Sequence, residues 1–196
     1  MAASHYLTIG DARPTVSSVD SLHRLRHRGG NYAARPIGAA FNWREAGADL
    51  GDGEWYLVAF RSIRKPTADE ARLDAHDEAA HQEAAATPGF VHYYKGPKAR
   101  DGSCLSFCLW SSRADARAAA AKPLHLAAVR LVDEMYVAYT LEFHRVARTA
   151  GGPLTFEPYD GPLHQTPRPG GEAADPPLPT DPSLLPQPTF RPAPAS

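Results

Sequence analysis

Three histidines are the side chains of this sequence best suited to acid–base chemistry, because imidazole has an ordinary pKa near neutrality. His76 and His81 lie in an Ala-, Glu- and Asp-rich stretch that favours helix, and His125 follows closely after Pro123. Five residues of helix turn through about 140°, so His76 and His81 do not share a face and make a poor metal pair. A neutral imidazole near a helix N-terminus has a depressed pKa, which suits His125 to the role of a general base. We name His125 and His81 as candidate catalytic residues and His76 as a candidate ligand contact.

The sequence leaves a structural alternative open for each histidine. A histidine at the boundary of a helix more often bonds a backbone or carboxylate group than a substrate, and this is the stronger interpretation of His81. His125 is equally suited to closing a gap between two helical pieces. Both interpretations stand beside the catalytic one.

Four large aromatic side chains fall near the cleft expected between helices and sheet. Aromatic walls with a few polar groups suit a small apolar organic ligand, and the candidate contacts are Tyr94, Trp110, Tyr136 and Tyr139. Packing in the core is the commoner role of such residues. Arg61 is a further candidate ligand contact, because a charged group within a strand needs a partner. An internal salt bridge to Glu142 is its favoured alternative.

Composition and charge exclude several classes of function. The net charge of -1 and the pI of about 6.7 argue against general electrostatic binding to nucleic acid or anionic membranes. The basic run over residues 23–28 lacks interleaved aromatics, so we interpret it as a solvated edge or a dimer contact. No segment approaches the roughly 20 apolar residues that span a bilayer. We expect neither a membrane nor a nucleic-acid partner.

The two cysteines indicate a reduced protein. Cys104 and Cys108 would lie on one face of a strand, about 13 Å apart and too far to form a disulfide. Two cysteines at this spacing are not half of a zinc pattern, and we expect neither a metal nor a cofactor. The first 30 residues also lack the apolar core of a secretory signal. We therefore expect a cytoplasmic protein.

The chain divides into zones of different composition. Residues 1–19 are irregular, residues 20–53 form an N-terminal extension that we expect to brace the domain, and residues 54–148 carry nearly all of the periodic signal. Of the 19 prolines, 13 follow residue 152. A segment of this composition buries too little apolar surface to offset the entropy of ordering. We predict a disordered, proline-rich tail over residues 151–196.

The middle zone alternates strand and helix signals. Strands are predicted over residues 55–63, 90–95, 103–110 and 136–146, where β-branched and aromatic residues dominate. A capping box at Thr67–Glu70 predicts the start of a first helix that runs to residue 86. Ser111 or Ser112 caps a second helix, which Pro123 breaks or restarts.

The order of these elements, βαββαβ, predicts the fold class. It is typical of an α+β, ferredoxin-like domain with a four-stranded antiparallel sheet and both helices on one face. The opposite face of the sheet would be bare and apolar. A second copy of the chain is the economical cover for it, and we expect a homodimer that forms a dimeric α/β barrel.

Several segments of the chain resemble those of known proteins, namely GEWYLVAFRS, AHDEAAHQEA, CLWSSRADARAA and KPLHLAAVRL. They resemble the antibiotic-biosynthesis-monooxygenase-like dimeric α/β barrels and, more closely, an uncharacterised family best known from fungi, which shares SLHRLRHRGGNYAARPIGAAFNW. The resemblance covers residues 20–148 and implies a fold rather than an activity, because that fold hosts oxygenases, haem-degrading enzymes, lyases and decarboxylases. Haem-degrading members carry Trp and His on the second helix, where this chain has Ala119 and Val129, so the resemblance disfavours haem degradation.

Two functional hypotheses follow. In the first, the protein is a cofactor-independent enzyme, monooxygenase-like or other, that acts on a small aromatic or polyketide-like molecule. His81 or His125 would abstract a proton, and a tyrosine or Arg61 would stabilise the anion. In the second, the protein is a non-catalytic dimer that binds a small ligand or a partner protein. Side chains that fill the space between helices and sheet would favour the second hypothesis.

Overall fold

The computed structural model describes residues 20–159. The strands are β1 (Gly53–Arg64), β2 (Phe90–Tyr94), β3 (Ser103–Trp110), β4 (Tyr136–Arg148) and β5 (Thr155–Pro158). The helices are α1 (Ile37–Ala40), α2 (Trp43–Ala46), α3 (Glu70–Ala85), α4 (Arg113–Ala120), α5 (Pro123–Val129) and α6 (Val132–Met135). Two 3-10 turns, Asp20–Arg24 and Tyr32–Ala34, precede α1.

The strands form one antiparallel sheet in the order β2-β3-β1-β4-β5. The first four strands with α3 and α4–α6 give the predicted βαββαβ arrangement, which is confirmed. The fifth strand pairs with β4 and was not expected, because it lies in the segment predicted to be disordered. Phe156 anchors this strand by packing against Trp43, with ring centroids 4.9 Å apart. The predicted tail beyond residue 159 lies outside the described residues.

Alternation along the strands gives the sheet two faces with different cores. The first, here called the extension face, carries fully buried side chains from three strands, namely Leu57, Ala59, Leu105, Phe107, Leu109 and Val146. The second, here called the helix face, carries Tyr56, Val58, Phe60, Cys108 and Trp110. Tyr56 and Trp110 belong to a separate cluster with Ala84, Ala116 and Ala119 of the helices. Both cores therefore form within one chain.

The N-terminal extension covers the extension face. Its apolar residues join the sheet in one continuous core, which includes Leu22, Leu25, Tyr32, Ile37, Phe41 and Trp43. The expectation that this face is bare is wrong. The extension buries most of this face with its own aromatic and aliphatic side chains, whereas Ile63 near the end of β1 is 41% exposed.

A charged group from the extension face ties the extension to the sheet. Arg61 forms an ion pair with Glu142 of β4, and the Glu142 residue is only 5% exposed. The Arg61 guanidinium also donates to the backbone carbonyl oxygens of Ala33 and Arg35 in the extension. Burial alone would raise the pKa of Glu142, but hydrogen bonds with His144 and Arg61 lower it overall. The internal salt bridge favoured from the sequence is confirmed. It occupies Arg61 on the face opposite the helices.

The predicted starts of α4 and α5 are confirmed, and the predicted start of α3 is not. The Oγ of Ser112 accepts from the backbone N–H of Asp115 at 3.1 Å, and Pro123 starts α5, both as predicted. The capping box at residue 67 was wrong. Asp69 is the N-cap of α3 and accepts from the backbone N–H of Arg72 at 3.0 Å. Within residues 20–159, no helix is long and apolar enough to cross a membrane.

Candidate functional site

The register of the strands fixes which side chains lie together on the helix face. Val58 at the centre of β1 pairs with Cys108 of β3 and with Phe143 of β4, and Cys108 pairs with Tyr93 of β2. These residues form one row across the sheet. Further along β1, two more rows follow, made of Ser106, Phe60 and Leu141, and then of Cys104, Ser62 and Tyr139.

The helical layer does not cover these rows completely. α3 contacts β2, and α4 contacts β1 and β3, whereas α5 packs chiefly against α3 and has no fully buried residue. Side chains in the middle of the sheet therefore keep partial solvent exposure, namely Val58, Phe60, Cys108, Tyr139, Leu141 and Phe143. The opposite face of the sheet is buried, so solvent reaches these residues from the helix side. We call this set of partly exposed side chains the helix-face cleft.

One edge of the helix-face cleft is held by a polar clamp between α3 and β2. The hydroxyl of Tyr93 donates to Asp77 at 2.5 Å, and Lys95 Nζ lies 2.9 Å from the other oxygen of the same carboxylate. Burial and the negative charge of Asp77 raise the pKa of Tyr93 far above its usual value. The phenol therefore stays protonated, and the clamp positions α3 rather than supplying a base.

His81 lies beside this clamp. Its ring centroid is 4.9 Å from that of Tyr93 and 6.0 Å from that of Phe90. Among the described residues, the imidazole makes no hydrogen bond. The structural alternative for His81, a bond to backbone or carboxylate, is therefore not observed, and both ring nitrogens are available to a ligand.

His125 stands at the start of α5, as predicted. Glu83 of α3 caps this helix, since its carboxylate accepts from the backbone N–H groups of Leu124 and His125 at 3.0 Å each. Burial lowers the pKa of the His125 imidazole, and the nearby charge of Glu83 opposes that shift. The direction is the one expected, but burial rather than the helix dipole is its main cause. His125 is therefore neutral at pH 7 and able to accept a proton.

Two further polar groups in the helix-face cleft have no hydrogen-bond partner in the described part of the chain, the thiol of Cys108 and the hydroxyl of Tyr139. Burial, followed by the charge of Asp77, raises the pKa of Cys108 to about 12. Burial likewise raises the pKa of Tyr139. Both groups are therefore hydrogen-bond donors at neutral pH, and Cys108 is a poor nucleophile.

The structure separates the other predicted residues from this site. Arg61 and Tyr94 lie on the extension face, where Tyr94 stacks on Phe107 at 5.7 Å. Trp110 is 3% exposed and packs in the core against Phe90. The Nδ1 of His76 donates to the backbone carbonyl oxygen of Arg72 at 2.9 Å, so its ring is engaged with its own helix.

Tyr136 has an intermediate position. It packs with Leu73 and Met135 in a small cluster at one end of the cleft, and its ring lies 5.4 Å from that of Tyr139. It can therefore touch a ligand only at the Tyr139 end. Of the aromatic candidates, Tyr139 is the one that lies within the helix-face cleft.

Sequence reasoning missed several cleft residues. Val58, Phe60 and Phe143 fit the alternation of the strands. The sequence does not show, however, that α5 packs chiefly on α3 and leaves these side chains partly exposed. The sequence offers only a weak indication that Asp77 belongs to the site, namely that it lies one turn before His81 on α3. The residues described contain no group of three or more His, Cys, Asp or Glu side chains that could hold a metal ion, and both cysteines are free thiols.

Comparison with known proteins gives one family match. The family model described as PB2B2.08-like matches residues 1–157. UPF0643 protein PB2B2.08 of Schizosaccharomyces pombe (strain 972 / ATCC 24843) is 32% identical over 103 residues, which are 50% of this chain and 47% of that protein. The matched region thus spans about half the length of the curated relative.

Several solved structures are also similar. SnoaB, a cofactor-independent oxygenase from Streptomyces nogalater, is 20% identical with a TM-score of 0.39, covering 51% of this chain and 97% of that chain. Rv0793 from Mycobacterium tuberculosis is 21% identical with a TM-score of 0.41, covering 50% and 96% of the two chains. PA3566 from Pseudomonas aeruginosa is 14% identical with a TM-score of 0.42, covering 51% and 99%.

Proposed function

The chain belongs to the PB2B2.08-like family, and we propose that it binds a small, neutral aromatic or polyketide-like molecule in the helix-face cleft and removes a proton from it without a cofactor. One observation carries the proposal. Partly exposed apolar side chains at the centre of the sheet lie beside polar groups that have no partner in the described residues. Ligand sites typically combine an apolar wall with a few convergent polar groups.

The apolar part of the cleft suits a flat molecule. Phe60, Leu141 and Phe143 present rings and branched side chains from two adjacent strands, about 4.8 Å apart in the hydrogen-bonding direction. A planar ring system lying across these strands would contact several of them at once. The hydroxyl of Tyr139 and the thiol of Cys108 would donate to an oxygen on the molecule.

Proton removal would fall to a histidine. Tyr93, Tyr139 and Cys108 keep their protons at neutral pH because burial raises their pKa values. His125 is neutral at that pH, and the His81 ring is unengaged by hydrogen bonds from the described residues. An imidazole base can take a proton from an acidic C–H or O–H group while the Tyr139 hydroxyl and the Cys108 thiol stabilise the resulting anion. Arg61 takes no part, since Glu142 holds it on the other face.

The proposal needs one chain only. All of the cleft residues come from a single copy, and the extension already buries the sheet face that a second copy would have covered. Binding of a small ligand without catalysis is the alternative that the same geometry allows.

Anthrone is a suitable test compound, because it is tricyclic, neutral and has an acidic methylene group. We expect the purified full chain to accelerate exchange of that methylene with deuterated solvent above the buffer rate. His81→Gln or His125→Gln should lower the acceleration at least tenfold. His76→Gln is the matched control on the same helix, since its ring is engaged with backbone, and it should leave the rate unchanged.

The anthrone experiment distinguishes a catalyst of proton removal from a protein that only binds the ligand. Saturable anthrone binding with exchange at the buffer rate would leave binding in place and remove catalysis. Exchange that is faster than buffer but insensitive to both histidine variants would show that neither imidazole is the base.

A further inference from the structure

A second concave site lies on the opposite side of the molecule from the helix-face cleft. It is a pocket of about 690 Å³ between the N-terminal extension and the turn that joins β4 to β5. Three arginines line it, together with aromatic side chains, and we call it the arginine pocket; its principal residues are Arg28, Arg44, Arg148, Trp43 and Phe156.

The charged residues that line the arginine pocket are all positive, because no carboxylate is among its lining residues. Arg28 and Arg44 are exposed, and their guanidinium groups form no ion pair or hydrogen bond with the residues that the structure describes. Arg148 donates to the carbonyl oxygens of Ala48 and Leu50, which fixes its position. Its Nε is buried and has no partner among these residues.

The other two arginines of the basic run over residues 23–28 have acidic partners. Arg24 pairs with Asp49 at 3.6 Å, and Arg26 pairs with Glu45 at 3.8 Å. Arg24 and Arg26 therefore contribute less to a continuous basic stripe, which binding to a nucleic-acid backbone would require. The geometry suits a small anion better than a polymer.

The wall of the arginine pocket is aromatic. The rings of Trp43 and Phe156 lie 4.9 Å apart and inclined at 46°, and Phe41 lies behind Trp43 at 5.8 Å. Gly38 makes this arrangement possible, since a Cβ atom there would stand 2.9 Å from the Phe156 ring. An arginine fork binds a carboxylate through paired hydrogen bonds, and flat rings pack on such walls.

We propose that the arginine pocket binds an aromatic carboxylate, with the carboxylate held by Arg28 and Arg44 and the ring system against Trp43 and Phe156. This site is separate from the helix-face cleft. Arg28 would then bind a ligand, whereas we interpreted the whole basic run from the sequence as a solvated edge or a dimer contact.

Isothermal titration of the full chain with 2-naphthoate tests the proposal. We expect one naphthoate to bind in this pocket, and we expect Arg28→Ala and Arg44→Ala each to weaken that binding about tenfold, as loss of one charged hydrogen-bond partner does. Both side chains are exposed, so the variants should keep the thermal midpoint of the parent chain. Arg117→Ala, an exposed arginine on α4, is the matched control for the loss of one positive charge.

The proposal also predicts independence from the cleft, so Tyr139→Phe should leave naphthoate affinity within twofold. The proposal is overturned if naphthoate does not bind at millimolar concentration. It is equally overturned if Arg28→Ala and Arg44→Ala bind like the parent chain, or if Arg117→Ala weakens binding as much as they do.

Discussion

Phe41 of the N-terminal extension packs edge to face against Phe107 of β3, with ring centroids 5.3 Å apart. Both side chains are at most 2% exposed. Phe107 lies in the strand between β2 and β1, so this contact places the extension over the middle of the β2–β3–β1 half of the sheet. A short, largely irregular segment thus completes the core that a simple four-stranded βαββαβ unit would leave open.

Phe41→Ala should destabilise the protein by about 3 kcal/mol or more, because it removes a buried ring and leaves a cavity between extension and sheet. Urea unfolding followed by circular dichroism measures the change. Val137→Ala is the control, since Val137 is 66% exposed and its loss should cost less than about 0.5 kcal/mol. Equal stability of the two variants would mean that the extension contributes little to the core.

In solution we expect the mass of one chain, 21.2 kDa, at micromolar concentration. The reason is that the extension occupies the apolar sheet face on which our expectation of a homodimer depended. Sedimentation equilibrium gives the mass without assumptions about shape. A mass of two chains would show that another surface joins the copies, and would contradict the single-chain account of the cleft.

Removing one partner of the buried ion pair should cost more than removing both. Arg61→Ala leaves Glu142 buried without its cation and deletes the bonds to Ala33 and Arg35, so we expect a loss of about 3 kcal/mol. The double variant Arg61→Met with Glu142→Leu should be clearly more stable than Arg61→Ala, since it leaves no uncompensated charge. Urea unfolding of the three proteins checks this order, and the reverse order would show that the pair is not buried as described.

Much of the fold could be predicted because it depends on local signals. The strand over residues 103–110 has the predicted bounds, and Ser112 and Pro123 act as expected. The role of residues 20–53 could not be predicted in the same way. Their apolar residues lack a regular period, and irregular segments owe their conformation to the surface on which they pack.

The site residues named from the sequence stay predictions. The structure places His81 against Tyr93 beside the helix-face cleft and Tyr139 within it. Arg61 and Tyr94 were named as candidate ligand contacts, and the structure places both on the extension face, away from the helix-face cleft. Tyr94 follows a register shift in β2 between Phe90 and His92 that no local pattern indicated.

Stability should fall as the solution is acidified below pH 6.5. Burial, with smaller contributions from His23 and His81, lowers the pKa of His92 to about 4 in the folded protein, whereas the unfolded chain titrates near 6.5. The stabilisation is therefore complete above pH 6.5 and is lost as the pH falls towards 4, by at most about 3 kcal/mol. Urea unfolding at pH 7.0 and 4.5 measures the loss. His92→Leu should reduce it, His76→Gln should not, and an unchanged pH dependence in His92→Leu would refute the assignment.

The central claim, that the helix-face cleft is an open ligand site, is tested most directly by filling it. Val58→Phe places a larger side chain at the centre of the helix face, where Val58 is now partly exposed. Calorimetric titration with neutral 2-naphthol compares this variant with the parent chain and with Val137→Phe, an exposed control. We predict that Val58→Phe stays folded and loses 2-naphthol binding, while Val137→Phe retains it. Unchanged binding by Val58→Phe, or failure of that variant to fold because no space exists for the ring, would contradict the account.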